Sequence, residues 1–409
     1  MNTTNLRTNT VYGNEMQLPK QKGITRLLSM NVNGIRQAND YQDAREIAQA
    51  LKISGVDIWN FQETNLNWRS LGKSKCYEQY RRVYHHARIS TSLSTNTYRS
   101  LYQPGGTMST VTDDYVGRVV ETGSDKDLGR WSFTRILGKH GRHIVIISVY
   151  QVCNQREESA GPRSAFAQQL SLLRREERDD SPRKAFIDDL DKQLDEWIAQ
   201  GYEIILSGDL NEKLGADITG FARISSKWNL VEVIQHFHGT EAEPPTYARG
   251  TKRQDYIFCT PKLLSSVKRC GILPYSEIID SDHRSLYVDF DTQTLMGGDL
   301  AILSATPVRV PRARDSKACE KYVEAVAKYM EDHKVLQRLV ALSTESQPDQ
   351  AKLKALDRDI SRGMAHAINK IRRIYITPFS PQIKQARLRR RFYKLHLSKI
   401  LNQLDLRQQ

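Results

Sequence analysis

Short apolar or alternating runs, separated by turn residues, fill the chain from position 24 to about position 290. Alternation with a period of two, and apolar runs of about four to eight residues, are typical of β-strands. The pattern predicts strands at 24–30, 57–62, 106–111, 130–136, 143–150, 203–207, 255–259 and 285–290. We therefore expect a strand-rich domain over residues 24–290.

Helical patterns lie between some of these strands. One helix is predicted over 40–53, after Asn39, and another over 182–200. Ser181 suits the N-cap of the second helix, Pro182 suits its first position, and Gly201 suits its end. Two helices are expected in the long connection 155–202, which has room to influence substrate choice. Strands and helices together predict a mixed α/β domain.

The character of the sequence changes after position 290. Residues 291–315 contain Gly297, Gly298, Pro307 and Pro311 and are predicted to be a linker. Helical patterns follow at 316–341, 349–373 and 381–404. The expected organisation is a flexible leader at 1–23, a catalytic domain at 24–290, a linker, and a basic helical region at 316–409.

The net charge of +14 is concentrated in this last region. Residues 291–409 carry a net charge of +11, and residues 361–409 hold 12 basic side chains against the single acid Asp405. A dense basic block attracts polyanions by releasing their counterions. DNA is therefore the expected partner.

Several classes of protein do not fit this composition. There is no apolar run of roughly 18 residues that would span a membrane, and residues 1–23 lack the apolar core of a secretory signal. The five cysteines show no CxxC spacing, so neither a zinc site nor a disulfide framework is indicated. We expect an intracellular, nuclear protein with no membrane contact and no obligate protein partner.

Six polar clusters stand at the ends of predicted strands. Asn31, Glu63 and Asp209 follow their strands, whereas Asp255 and the pair Asp282 and His283 precede theirs. In a mixed sheet, neighbouring strands that run in opposite directions bring such residues to one edge. One rim would then collect four carboxylates and a histidine.

Carboxylates gathered in this way repel each other unless a cation lies among them. Magnesium prefers oxygen ligands and keeps several waters, which suits Glu63 with Asn31 and Asp282 as metal ligands. Mn²⁺ is a possible substitute. The metal would polarise a phosphoryl oxygen and stabilise the leaving oxygen.

The remaining polar residues suit proton transfer and phosphate binding. Asp209 is the candidate base for the attacking water. His283, oriented and kept protonated by Asp255, would stabilise the charge of the transition state. Asn211 and Tyr150 would donate neutral hydrogen bonds to the same phosphate.

The ordered motifs SMNVNGI, FQETN, SVYQVCN, SGDLNE, QDYIF and SDHRS resemble those of the endonuclease/exonuclease/phosphatase superfamily. Its members include apurinic endonucleases, endonuclease domains of non-LTR retrotransposons, and sphingomyelinase-type and inositol phosphatases. The resemblance covers about residues 24–290 and is closest in character to the retrotransposon domains. It implies a four-layer α/β sandwich of two mixed sheets flanked by helices, divalent-metal dependence, phosphate-ester hydrolysis, and the residue roles given above.

Two positions depart from the pattern of the DNA-repair members. Asn33 stands where those members usually carry aspartate, and three residues rather than two separate Tyr150 from Asn154. Asn33 and Asn154 remain candidates for substrate binding.

The basic run in the tail has two alternative interpretations. Leu388 and Phe392 are spaced for one face of a helix, so the arginines are either its solvated side or a nucleic-acid contact and import signal. The tail also resembles the basic spacer that follows the endonuclease in retroelement polyproteins, which suggests a fragment or a domesticated copy of a mobile element. The candidate substrate-binding residues here are Arg389, Arg390 and Arg391.

The leading hypothesis is a magnesium-dependent phosphodiesterase that nicks DNA, of the retroelement type. The alternatives are a phosphatase or phosphodiesterase that acts on lipid or inositol phosphates, and an abasic-site repair endonuclease. A third class is a nucleic-acid-binding protein with an inactive nuclease fold. The presence of the acids and the histidine expected to carry the chemistry argues against that class; they are Glu63, Asp209, Asp282 and His283.

Overall fold

The computed structural model describes residues 9–69, 73–84, 86–93, 102–125, 127–216, 219–298, 315–344, 350–371, 389, 390 and 393. Within these residues, no helix combines the length and apolar character needed to cross a membrane. Residues 1–305 and 306–409 form two compact units.

The first unit is built on two β-sheets. The first sheet contains β1 (Tyr12–Gly13), β2 (Ile24–Asn31), β3 (Ile58–Gln62), β4 (Ala87–Thr91), β5 (Thr107–Thr112), β12 (Val267–Ile272) and β13 (Leu286–Asp291), in the order β1-β12-β13-β2-β3-β5-β4. The second contains β6 (Val119–Ser124), β7 (Trp131–Leu137), β8 (His143–Tyr150), β9 (Glu203–Asp209), β10 (Val231–Glu232) and β11 (Asp255–Cys259), in the order β10-β11-β9-β8-β7-β6.

Helices connect and cover these strands. In the first unit they are α1 (Ala38–Ile53), α2 (Lys73–Arg81), α3 (Ala165–Arg175), α4 (Pro182–Ala199), α5 (Phe221–Lys227), α6 (Val233–His238), α7 (Pro261–Leu264) and α8 (Thr292–Met296). In the second they are α9 (Ser316–Asp332), α10 (Val335–Ser343) and α11 (Gln350–Lys370).

Each sheet has a parallel pair of strands near its centre. β2 runs parallel to β3, and β8 runs parallel to β9, whereas β13 and β11 pair antiparallel with β2 and β9. A parallel pair needs a crossover, which α1 supplies in the first sheet and α3 and α4 supply in the second. Strands covered on both faces have continuous apolar sequences, and β8 is buried from Ile144 to Tyr150.

The two sheets pack face to face, with helices on their outer faces. On the first sheet, Trp59 lies against Tyr80 of α2, with ring centroids 5.7 Å apart. On the second, Phe133 lies against Trp197 of α4 at 4.8 Å. The predicted four-layer α/β sandwich, with helices at the C-terminal end of the chain, is confirmed. Its inner core includes Leu27, Ile58, Ile144, Ile146, Ile205 and Ile257.

Towards the end where both parallel pairs finish, the layer between the sheets becomes polar. Gln62 Nε2 donates to Ser148 Oγ at 2.9 Å, and Asn60 Nδ2 donates to Ser207 Oγ at 2.9 Å. Buried polar groups are stable only when they are paired, so these contacts hold one sheet in a fixed position against the other.

The predicted strands are all present, and their ends differ from the predicted ones by at most two residues. The start of α4 also follows the sequence signals. Ser181 Oγ accepts a hydrogen bond from Lys184 N at 3.2 Å, Pro182 occupies the first turn, and Gly201 has a φ of 74° just after the helix.

Two segments predicted to lie outside the catalytic domain belong to the first unit. Tyr12 and Gly13 of the predicted leader form an edge strand on β12. Residues 292–296 of the predicted linker form α8, which the Asp291 carboxylate caps by accepting a hydrogen bond from Thr294 N at 2.8 Å.

The second unit has a small core of its own. Val335, Leu342 and Leu356 are buried together where α10 meets its neighbours. The helix predicted at 316–341 is divided in two, because Lys334 has a φ of 50° and ends the regular helical path. The helix predicted at 349–373 spans 350–370, and the one predicted at 381–404 lies outside the described residues except for 389, 390 and 393.

Candidate active site

The strand directions bring the polar ends of the first sheet to one edge. Asn31 ends β2 and Glu63 follows β3, and these strands are parallel. β13 is antiparallel to β2, so its beginning, just after His283, lies at the same edge. The expectation that residues after some strands and before others share a rim is confirmed in this sheet.

The second sheet has the matching arrangement. Tyr150 and Asp209 end the parallel strands β8 and β9 and stand opposite each other in register. Asp255 begins the antiparallel strand β11 and also stands opposite Asp209. Asn31 Nδ2 donates to Asp209 Oδ2 at 2.9 Å and so joins the two sheets at this rim.

Asp209 is fully buried and accepts hydrogen bonds on both carboxylate oxygens. Oδ1 accepts from Asn211 N at 2.9 Å. Oδ2 accepts from Asn31 Nδ2 at 2.9 Å and from Asn211 Nδ2 at 3.3 Å. A carboxylate oxygen can accept about two hydrogen bonds, so Oδ1 keeps acceptor capacity while Oδ2 is saturated.

His283 forms a buried pair with Asp255. His283 Nδ1 lies 3.1 Å from Asp255 Oδ2, an arrangement in which Nδ1–H donates to the carboxylate and Nε2 is directed elsewhere. The ligand atoms of Asp209, Asp255 and His283 all lie within 4.8 Å of one another. Two acids and one base are therefore packed into a space with little solvent.

Neighbouring loops fix the orientation of His283. The Tyr247 ring lies against the imidazole, with centroids 5.0 Å apart and planes inclined by 33°. Ser281 Oγ accepts from His283 N at 3.1 Å and donates to Asn31 O at 2.7 Å. Thr246 Oγ1 accepts from Asp255 N at 3.2 Å, so one loop supports both members of the pair.

Burial and mutual repulsion shift the pKa values of these groups. Burial, followed by the nearby charge of Asp255, raises the pKa of Asp209 to about 8 in spite of its hydrogen-bond donors. Burial alone would lower the pKa of His283, but the charge and the hydrogen bond of Asp255 raise it to about 10. A cation placed among these groups would favour the ionised form of Asp209.

Glu63 and Tyr150 form a second part of the site. Tyr150 is buried near Glu63, and the pKa of its hydroxyl is raised, first by burial and then by the charge of Glu63. Gly105 lies against the Tyr150 ring, where a Cβ would be 3.3 Å from Cε1. Gly105 N also donates to Asn65 Oδ1 at 2.8 Å, which ties this loop to the one that carries Glu63.

The oxygen-rich rim suits a hard divalent cation. Asp282 Oδ1 and Asp255 Oδ1 are shielded from solvent and have no hydrogen-bond partner among the described residues. An unpaired buried carboxylate oxygen is costly unless a cation or a water satisfies it. Asn31, Glu63 and Asp282 offer only oxygen ligands, whereas a protonated His283 is a poor metal ligand.

Asn211 supports Asp209 in this structure. Its two amide hydrogens are directed to Gln151 O at 2.8 Å and to Asp209 Oδ2 at 3.3 Å. Its Oδ1 accepts from Cys153 Sγ at 3.2 Å. The sequence predicted Asn211 as a donor to phosphate, but in this arrangement its amide hydrogens are used within the protein.

The predicted substrate-binding residues lie in two places. Asn33 and Asn154 are exposed on the loops after β2 and β8, and Asn33 N donates to Asn31 Oδ1 at 3.0 Å. Arg389 and Arg390 are exposed residues of the second unit, and Arg391 lies outside the described residues.

Further residues contact the predicted ones and were not singled out as site residues from the sequence. Ser281 and Cys153 lie within or beside quoted motifs, so their proximity was a usable signal. Gln151 also lies within the quoted motif SVYQVCN. Tyr247 carried no local signal, because a tyrosine before a glycine-containing loop is common, and its contact depends on how distant loops meet.

Residues 28–283 match the sequence model of the endonuclease/exonuclease/phosphatase family, and the chain belongs to this family. Its members are hydrolases that act on phosphodiester bonds and typically use a divalent metal. No curated protein sequence matches the chain.

Solved structures that the chain resembles come from several organisms. An AP endonuclease from Leishmania major is 15% identical and has a TM-score of 0.49, with 65% of this chain and 87% of that chain covered. An AP endonuclease from Archaeoglobus fulgidus is 17% identical, with a TM-score of 0.44 and coverage of 65% and 99%. A family member from Leptotrichia buccalis is 16% identical, with a TM-score of 0.41 and coverage of 65% and 99%.

Proposed function

We propose that the chain is a magnesium-dependent endonuclease that nicks one strand of DNA. The observation that carries this proposal is the buried set of Asp209, Asp255 and His283, joined through Asn31 to an oxygen-rich rim. A site with one saturated carboxylate oxygen, one available oxygen and a charged imidazole suits in-line attack of water on a phosphodiester.

Asp209 acts as the base in this proposal. Oδ2 is held by Asn31 and Asn211, which leaves Oδ1 to accept a proton from the attacking water. A positioned general base contributes a factor of roughly 10² to 10⁴ in rate.

His283 stabilises the phosphate during the reaction. Asp255 holds Nδ1 and favours the charged ring, so Nε2–H is the donor available to a phosphoryl oxygen. Tyr150, whose raised pKa keeps its hydroxyl protonated, adds a neutral donor at the same rim. Fixed donors in a buried site stabilise developing charge without reorganisation.

Asn31, Glu63 and Asp282 would hold the divalent cation. When bound, Mg²⁺ or Mn²⁺ supplies positive charge to the phosphate and the leaving oxygen. The unpaired Asp282 Oδ1 supports its place in this set.

The loops around the site favour a substrate with many phosphates. The acids on these loops are partly neutralised, since Glu157 pairs with Arg174 at 2.6 Å and Glu212 pairs with Arg183 at 2.5 Å. Several phosphates along a nucleic acid backbone would contact such loops at once, whereas a single phosphate monoester would not. The exposed cations on the loops next to the site, which we call the rim cations, are Arg36, Arg69, Arg156, Lys213, Arg249 and Lys252.

The retroelement type is proposed from the sequence of the tail. Its basic residues, including Arg389 and Arg390, suit a phosphate backbone, and the same charge suits a nuclear location.

Three substrates separate the alternatives: supercoiled plasmid, a duplex with one abasic site, and a phosphomonoester, each with Mg²⁺ or with chelator. Nicking of intact plasmid that needs Mg²⁺ is the expected result. We expect Asp209→Asn and His283→Ala to lose activity by factors of about 10² to 10⁴. Asp195→Asn, an exposed carboxylate on α4, is the matched control and should retain activity.

The other outcomes have distinct meanings. Cleavage of the abasic duplex alone would indicate a repair enzyme. Turnover of the monoester alone would contradict the nuclease proposal and favour a phosphatase.

The rim cations provide a second test. Arg249→Gln with Lys252→Gln should raise KM for plasmid and weaken its salt dependence, while leaving turnover of a small chromogenic phosphodiester unchanged. Equal losses on both substrates would count against a polymer-binding rim.

A further inference from the structure

The amide of Asn211 is held in one of its two possible orientations. Its nitrogen faces Gln151 O and Asp209 Oδ2, both acceptors, and its oxygen faces the Cys153 thiol. If the amide turned by 180°, its oxygen would face two acceptors, and its nitrogen would face the sulfur. The contacts on the two sides therefore specify the same orientation.

The thiol is suited to be the donor in this contact. Sγ lies 3.2 Å from Asn211 Oδ1, a normal distance for a sulfur donor. Cys153 is an exposed residue, but partial desolvation of its thiol, followed by the charges of Asp209 and Glu63, raises its pKa to about 11, so the thiol carries its proton at neutral pH.

We propose that Cys153 is a positioning residue: its S–H fixes the amide of Asn211, and that amide fixes Oδ2 of Asp209. This inference rests on the proposed function, in which Asp209 is the base. It assigns a role to one of the three residues that separate Tyr150 from Asn154. Loss of the thiol proton would let the amide turn and place a second oxygen beside Oδ2.

Cys153 acts through Asn211 in this proposal, so substitutions at the two positions should not be independent. Cys153→Ser keeps an O–H donor and should retain at least half of kcat. Cys153→Ala removes the donor and should lower kcat about five-fold, the effect of one ordinary hydrogen bond, with KM unchanged. In an Asn211→Ala background, Cys153→Ala should have no further effect.

The orientation of the amide is also measurable without catalysis. In ¹⁵N-labelled full-length protein, the two Asn211 side-chain amide protons should exchange slowly in wild type and in Cys153→Ser. In Cys153→Ala they should exchange faster. Cys319→Ser, at the partly exposed cysteine of the second unit, is the matched control and should change neither kcat nor the exchange.

The two readouts distinguish the two proposals. If wild type cleaves none of the three substrates, the proposed function fails, and amide exchange alone decides the role of Cys153. Unchanged exchange in Cys153→Ala would overturn that role. So would a Cys153→Ser variant as impaired as Cys153→Ala, or an undiminished effect of Cys153→Ala in the Asn211→Ala background.

Discussion

Three residues of the candidate site have left-handed backbone conformations. The φ angles of Asn33, Glu63 and Asn211 are 47°, 48° and 49°. Asparagine tolerates this region, but for glutamate it costs roughly 1–2 kcal/mol. Gly34 N donates to Glu63 O at 2.7 Å, so the surrounding loops hold the strained residue in place. Strain that the surroundings maintain is typical of functional positions.

The His283 and Asp255 pair leads to a prediction about pH. The pKa of His283 in the folded chain, about 10, lies above the ordinary value of 6.5. The stabilisation from this pair should therefore be complete below about pH 6.5 and disappear as the pH rises through about 10. In metal-free protein, NMR titration of the His283 ring should show a midpoint near 10.

Two comparisons sharpen this test. Burial lowers the pKa of His283, and the negative charge of Asp255 raises it. Asp255→Asn removes that charge, so the pKa of His283 should then be far lower. His143 is the internal control, because burial and then Arg135 lower its pKa below 6.5. A wild-type midpoint near the ordinary value would refute the charged pair.

At the scale of single residues, the sequence predicted the site residues that stand at the ends of strands. It missed the residues on loops that contact them. Asp209, Asp255 and His283 stand at strand ends, so the period of two and the strand directions were enough to bring them together. The contacts of Tyr247 with His283 and of Cys153 with Asn211 join separate loops. Loop paths carry no periodic signal, so only the folded structure reveals them.

Among the elements, the junction of β8 and β9 depends on one glycine. A Cβ on Gly208 would lie 1.9 Å from Val149 O, a backbone atom that cannot move without breaking the parallel pairing. Gly208→Ala should therefore destabilise the fold by about 3 kcal/mol or more, at the upper end for single substitutions. Denaturant unfolding measures this change.

Gly161→Ala is the control for that prediction. Its Cβ would meet nothing within 4 Å, and its backbone is not left-handed. Similar losses for Gly161→Ala and Gly208→Ala would show that the close approach is not the cause.

A buried ion pair joins β2 to β13. Arg26 donates to both oxygens of Asp289 at 2.6 and 2.7 Å, and also to Ser54 O at 2.7 Å. Asp289→Asn leaves a buried guanidinium with part of its charge uncompensated and should cost about 3–5 kcal/mol. Combining Arg26→Met with Asp289→Leu should recover much of that loss in urea unfolding. A double variant as unstable as the single one would contradict this account.

The strands that the sequence missed lie mostly at or near the edges of the sheets. β1, β4, β6 and β10 are edge strands, and β12 lies next to an edge. Partly exposed strands tolerate polar residues, as in β12 with Lys268 and Arg269, so their alternation is weak. The buried strands β3, β8 and β9 were predicted correctly because both faces require apolar residues. The break at Lys334 inside a continuous helical pattern had no proline or glycine to reveal it.

For the whole molecule, charge is divided between the two units. Residues 306–409 carry a net charge of +13 out of the total of +14, while six exposed cations of the first unit lie on the rim loops. The sequence predicted the basic tail from composition alone. It did not predict the rim cations, because they are scattered along the sequence and come together only through the strand directions.

The division of charge predicts how binding responds to removal of residues 306–409. Since residues 1–305 form a compact unit that contains the candidate catalytic and metal-binding residues, the shortened chain should fold and cleave DNA. Its DNA affinity should fall, and the slope of log affinity against log salt should decrease, by about 0.9 for each lost phosphate contact. Fluorescence anisotropy with labelled duplex measures both quantities, and full-length protein with Arg249→Gln and Lys252→Gln provides the comparison. An unchanged slope after truncation would contradict a binding role for residues 306–409 and would leave the rim cations as the remaining proposed contact.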